Sequence, residues 1–177
     1  MKILSKQTKG SQGFTLTEVL MAVFIFTLLS AACYTIMASS SSSWQVNRVR
    51  IELQQELRKS QGWMINELRQ SGSSVVTNVP ADGSTGHATI TFRTSTGVSG
   101  GSATWSTDTI QFLLSGTQLQ RISGGTTKVL AQDISSVQFL RQSTTPNLVE
   151  VSLQAQKKAP GSVTLSSSLN FKVEMRN

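Results

Sequence analysis

The sequence predicts an α+β fold: a long N-terminal helix, transmembrane and then amphipathic, packed on an antiparallel β-sheet. Three observations predict it. Val19 to Ala38 is an uncharged apolar run. Apolar positions three and four apart follow as far as Leu68, and from Ser73 onward the spacing becomes two. The length of 177 residues suits one domain with an appendage. Only 14% of residues are charged against 38% hydrophobic, with much Ser, Thr, Gln and Gly, which suits an exported β-rich protein better than a cytosolic enzyme. Lys2, Lys6 and Lys9 carry three of the net +7 charges, so losing the segment before Phe14 leaves +4, a modest excess for a nucleic-acid partner. One cysteine, Cys33, excludes an intramolecular disulfide and a thiolate zinc cluster, and the single His87 leaves little for acid–base work.

The apolar run, VLMAVFIFTLLSAACYTIMA, is long enough for one crossing of about 30 Å. A signal peptide would be cleaved near Ser30-Ala31-Ala32, with Cys33 then placed as in a lipoprotein. That reading leaves a late apolar core and a lipoprotein site with Ser30 where an aliphatic residue is preferred. A plain anchor explains the length but not Glu18, because a carboxylate inside a membrane helix is costly and usually functional. A cut between Gly13 and Phe14 supplies its partner, the new α-amine of Phe14. Phe14 and Glu18 then share a helix face four residues apart, and the amine neutralises Glu18 in its own chain or, better, in a neighbouring helix shifted along the axis. In low dielectric such a pair sets register between copies.

The stretch GFTLTEVL, after a short basic leader and before a long apolar helix, resembles the class III leader of type IV pilins and type II secretion pseudopilins. The resemblance implies a pilin-like fold and cleavage by a prepilin peptidase between Gly13 and Phe14. It also implies N-methylation of Phe14 and an assembly-register role for Glu18. Thr35 stands where many major pilins carry a helix-kinking proline, which leaves a minor pilin or pseudopilin. The C-terminal half is similar, in QLQRISGGTTKVLAQDISSVQFL, LVEVSLQAQ and FKVEMRN, to J-type pseudopilins and W-type minor pilins. Those relatives are structural subunits that help initiate or cap a fibre, not enzymes. The implied partners are other minor pilins or pseudopilins, the major subunit, the prepilin peptidase, an inner-membrane assembly platform and membrane lipid. The implied location is a single-pass inner-membrane protein with a periplasmic or extracellular globular domain, later in a fibre or at its tip.

The divisions expected are a leader over 1–13, a membrane helix over 14–38, its amphipathic continuation over 39–71 and a sheet domain over 72–177. Five serines, Ser39–Ser43, read by composition as linker, yet the helical pattern resumes at once. Val46, Val49, Leu53, Leu57, Met64 and Leu68 form an apolar stripe that seeks a sheet. Glu52 and Glu56, with Arg48, Arg58 and Lys59, read as a solvated face. Gly62 is a point of local loosening, and Gly72 reads as the stop.

Beyond it, Ala88, Ile90 and Phe92 suggest a strand, and Thr109 to Ala131 a meander with turns at Ser115-Gly116-Thr117 and Gly124-Gly125. Ile134, Val137 and Phe139 read as a further strand or connector. Val149 to Gln156 and Val163 to Met175 alternate as half-buried strands. The Gly/Ser-rich stretch from Gly97 to Thr104 reads as an exposed loop.

Little chemistry is visible. His87 lies in the polar stretch DGSTGHA without a nucleophile beside it, and Asp82 with Ser84 is too poor in carboxylates for a calcium loop. No cofactor or metal is called for. The rival class is a membrane-anchored adhesin or a DNA-binding competence module, suggested by Trp44, Trp63 and Trp105 with scattered arginines and chiefly by the DNA uptake that fibres of the resembled family perform.

Overall fold

The computed structural model describes residues 13–83 and 85–176, so the leader lysines Lys2, Lys6 and Lys9, and Ser84, lie outside the described residues. The chain divides into two units, Met1–Trp44 and Gln45–Asn177. One helix, α1 (Leu16–Leu68, 53 residues), contributes to both. Within the first unit it is apolar around its whole circumference, and its side chains are exposed. Two hydroxyls there bond back to the helix itself, Thr27 to the Phe24 carbonyl and Thr35 to that of Ala32, both at 2.8 Å. The serine run stays helical, and Ser43 donates to the Ser39 carbonyl.

In the second unit the expected stripe is the face that packs. Leu53, Leu57, Met64 and Leu68 are at most 2% exposed, each burial stabilising by about 1.5–3 kcal/mol. Val49 packs at the margin and Val46 is half-buried. The helix passes through Gly62 without interruption and ends at Leu68, one tighter turn following through Ser71 N–H to the Leu68 carbonyl. Gly72 is not the left-handed stop. Its φ of −123° is extended. It is small because a Cβ there would lie 2.5 Å from the Trp105 ring.

Among the described residues nine strands follow: β1 (Thr89–Phe92), β2 (Ser95–Ser99), β3 (Ser102–Trp105), β4 (Ile110–Ser115), β5 (Gln118–Ser123), β6 (Thr126–Ala131), β7 (Ile134–Gln142), β8 (Thr145–Lys158) and β9 (Thr164–Glu174). They form an antiparallel sheet of order β1-β4-β5-β6, another of order β7-β8-β9, and a separate β2-β3 hairpin, rather than one sheet. The fold is therefore α+β, with the helix stripe on the strands. Gly124 and Gly125 both adopt positive φ (53° and 77°), as a two-residue hairpin turn requires. The Gly97–Thr104 stretch is not a loop. It is most of the β2-β3 hairpin, turned by Gly100 and Gly101 at φ 60° and 83°.

The two larger sheets part where β6 meets β7. Asp133 takes a left-handed φ of 59° at that corner, a conformation Asp tolerates better than most residues. The corner is tied to the helix by Gln132 N–H to Glu56 Oε2 at 3.0 Å. Lys157 adds a second tie, reaching Asp133 at 3.0 Å and Glu52 at 3.3 Å. Hydrogen bonds to Asp133 and then Glu52 hold the Lys157 ammonium above its ordinary pKa. Glu52 and Glu56 are thus tethers rather than a solvated face. Side chains from the helix and both sheets make one core, with Phe92 and Phe112 in tilted contact at 5.5 Å.

Three charged side chains packed against it, Glu67, Arg121 and Arg141, have no signature in the sequence. Arg121 Nε donates to both Glu67 oxygens, at 2.7 and 2.9 Å, with Glu67 9% exposed. Arg141 is buried and donates to the carbonyls of Val79, Ser73 and Pro146, joining the segment after the helix to the β7-β8 turn. Burial pushes its guanidinium pKa down.

Candidate functional site

The candidate site is the start of α1. Thr15 is the residue before the first helical one, and the sequence Thr15-Leu16-Thr17-Glu18 folds as a reciprocal capping box. Glu18 N–H donates to Thr15 Oγ1 at 3.3 Å, while Thr15 N–H and Oγ1–H both donate to Glu18 Oε2, at 2.9 and 2.8 Å. The first intrahelical bond, Val19 N–H to the Thr15 carbonyl, fixes the boundary. The sequence signal for this cap is the spacing Ser/Thr-x-x-Glu before an apolar run, a signal separate from the charge pairing expected of Glu18.

Phe14 lies outside the helix in the uncut chain and is 87% exposed, so it does not share a helix face with Glu18. The reason is the cap itself, which holds Thr15 as the last non-helical residue. Beyond Glu18 the helix shows apolar side chains on every side. Leu20 is 62% exposed and Phe24 64%. Val19, Phe26 and Leu29 on other faces are exposed too. A helix that is hydrophobic all round belongs in lipid or in the interior of an assembly. It is the one helix among the described residues long and apolar enough to cross a membrane.

The residues considered for other chemistry are dispersed. Cys33 is a free, exposed thiol on the apolar helix. His87 exchanges two 2.8 Å backbone bonds with Phe139, and its Nε2 is buried without a hydrogen-bond partner among the described residues. Among the described residues no group of His, Cys, Asp and Glu is placed to hold a metal ion. The tryptophans do not form a stacking platform. Trp63 packs on the core beneath the Lys128 ammonium, 3.8 Å from the ring centre, Trp105 packs on Gly72, and Trp44 is exposed in the other unit.

Residues 8–34 match the family described as the prokaryotic N-terminal methylation motif. No curated protein matches the chain. The motif implies processing by a prepilin peptidase, membrane anchoring and assembly with other pilins, and proteins that carry it in this way are structural rather than enzymatic. With that motif over residues 8–34 and a long helix that begins within it at Leu16, the N-terminal part of the chain fits the pilin-like family.

Proposed function

We propose that the chain is a minor pilin or pseudopilin that helps initiate or cap a type IV pilus-like or type II secretion fibre. The observation that carries this reading is the capped carboxylate at the head of a helix exposed and apolar on all sides. The processing site is the Gly13–Phe14 bond. Cleavage removes the basic leader and places an ammonium, then N-methylated, on Phe14. In the uncut chain both Thr15 bonds fall on Glu18 Oε2, and Oε1 receives none among the described residues. Oε1 is the atom that takes the amine of a neighbouring subunit, with the cap still closed. The match to the charge on a neighbour sets register, and the apolar surface of residues 14–38 then packs against other subunits. Residues 39–71 continue the helix and residues 72–177 carry the sheets.

The test is incorporation. Epitope-tagged wild-type chain and Glu18→Ala are expressed in the source cells, and membranes and sheared surface fibres are compared by immunoblot. Both should reach the membrane, and only the wild type should appear in fibres. Equal incorporation of Glu18→Ala overturns the register role.

A further inference from the structure

The two larger sheets have four edges, and the chain treats them differently. Along β1, Thr77 N–H bonds the Thr91 carbonyl at 3.0 Å, and the Asn78 amide bridges the Thr89 carbonyl and Thr91 N–H. Along β7, Gly83 and His87 bond the backbones of Arg141 and Phe139. β6 is six residues long, carries Lys128 and has a register shift at its far end. Such devices keep sheet edges from recruiting other strands.

β9 has none of them over most of its length. It pairs with β8 through 11 consecutive residues without a bulge, from Leu148–Glu174 to Lys158–Thr164. Among the described residues its backbone pairs on that side alone. From Thr164 to Asn170 it has no charge and no proline. Burial in the core-facing row falls off from β8 to β9. On β8, Val151, Leu153 and Ala155 are at most 1% exposed, whereas Leu169 and Phe171 opposite them, and Leu165, are only half-buried. The sheet is one strand short of closing its core.

We propose that β9 is a strand-addition site. It accepts an extended segment of a different chain, with apolar residues at alternate positions and uncharged polar residues between. Backbone edge groups select an extended partner, and the half-buried row selects its alternation. A second copy of this chain does not fit. Within Gln45–Asn177 the helix runs alongside β9 in the same direction. Glu52 is beside Lys157, which is opposite Leu165, and Ser71 bonds Arg176 N–H. Antiparallel self-pairing sets the two copies' helices, from Gln45 to Leu68, in opposite directions, which subunits sharing one orientation in the proposed fibre cannot do. Parallel self-pairing puts the two apolar rows on opposite faces and covers neither.

The probe is a fluorescently labelled peptide of residues 163–171, VTLSSSLNF, which is uncharged in its side chains, carries Val163, Leu165, Leu169 and Phe171 at alternate positions apart from Ser167, and, freed from the helix, pairs in either direction. It is titrated into the full chain in detergent micelles by anisotropy, with amide hydrogen exchange read on β9. Saturable binding is expected, with a gain of protection in β9 on binding, and a scrambled peptide should not bind. Ser167→Lys puts a charge into the half-buried row and should weaken binding by at least about tenfold. Absence of saturable binding overturns the proposal, as does equal binding by the scrambled peptide. Loss of protection in β9, which signals displacement from β8, overturns it too. The exchange pattern needs no variant, so it decides the matter even if Ser167→Lys fails to fold.

Discussion

Glu67→Ala leaves the Arg121 guanidinium, three-quarters buried, facing an empty site. Breaking such a pair from one side should destabilise the folded unit by about 3 kcal/mol, since the remaining charge stays desolvated. Chemical denaturation of the purified protein checks this, and replacing both residues together should recover part of the loss. Neither residue announces itself in the sequence. Glu67 sits one position from Leu68 on the packed face, and its partner lies 54 positions away. Arg141 is equally silent, because its partners are carbonyls that only the fold assembles. The Thr15–Glu18 cap is the opposite case. It is local, it follows a short spacing rule, and four consecutive residues are enough to spell it.

At the scale of elements, Gly62 is the informative position on the helix. A Cβ there meets nothing within 4 Å, and the residue is helical and exposed. Gly62→Ala should therefore stabilise the unit by about 0.5–1 kcal/mol, read as a higher denaturation midpoint at unchanged slope. The helix stripe and the strands β1, β4, β8 and β9 were legible because each buries one face and keeps the other wet, which writes a period into the sequence. The β2-β3 hairpin was not. STGVSGGSATW buries almost no apolar side chain, and its pairing rests on the backbone and on the Gly100-Gly101 turn. The Thr96 and Thr104 hydroxyls, 3.1 Å apart, add a cross-strand contact of a kind that periodicity does not record.

At the scale of the whole molecule, the α+β class followed from the change of period along the chain, but the division into two larger sheets did not. It turns on Asp133, one left-handed residue between Gln132 and Ile134, whose ties to Lys157, and through Gln132 to Glu56, form only after folding. The N-terminal region is more legible than the rest because residues 8–34 carry a motif that is written linearly, in consecutive residues, rather than assembled by the fold. In the function proposed above, the leader, the capped Glu18 and the fully apolar helix act together once the chain is cut and assembled. The measurement that tests this most directly is mass spectrometry of the mature protein isolated from source-cell membranes. The account predicts a chain beginning at Phe14 and carrying one N-methyl group. An N-terminus at Met1, or one at Cys33 after cleavage at Ser30-Ala31-Ala32, would contradict it.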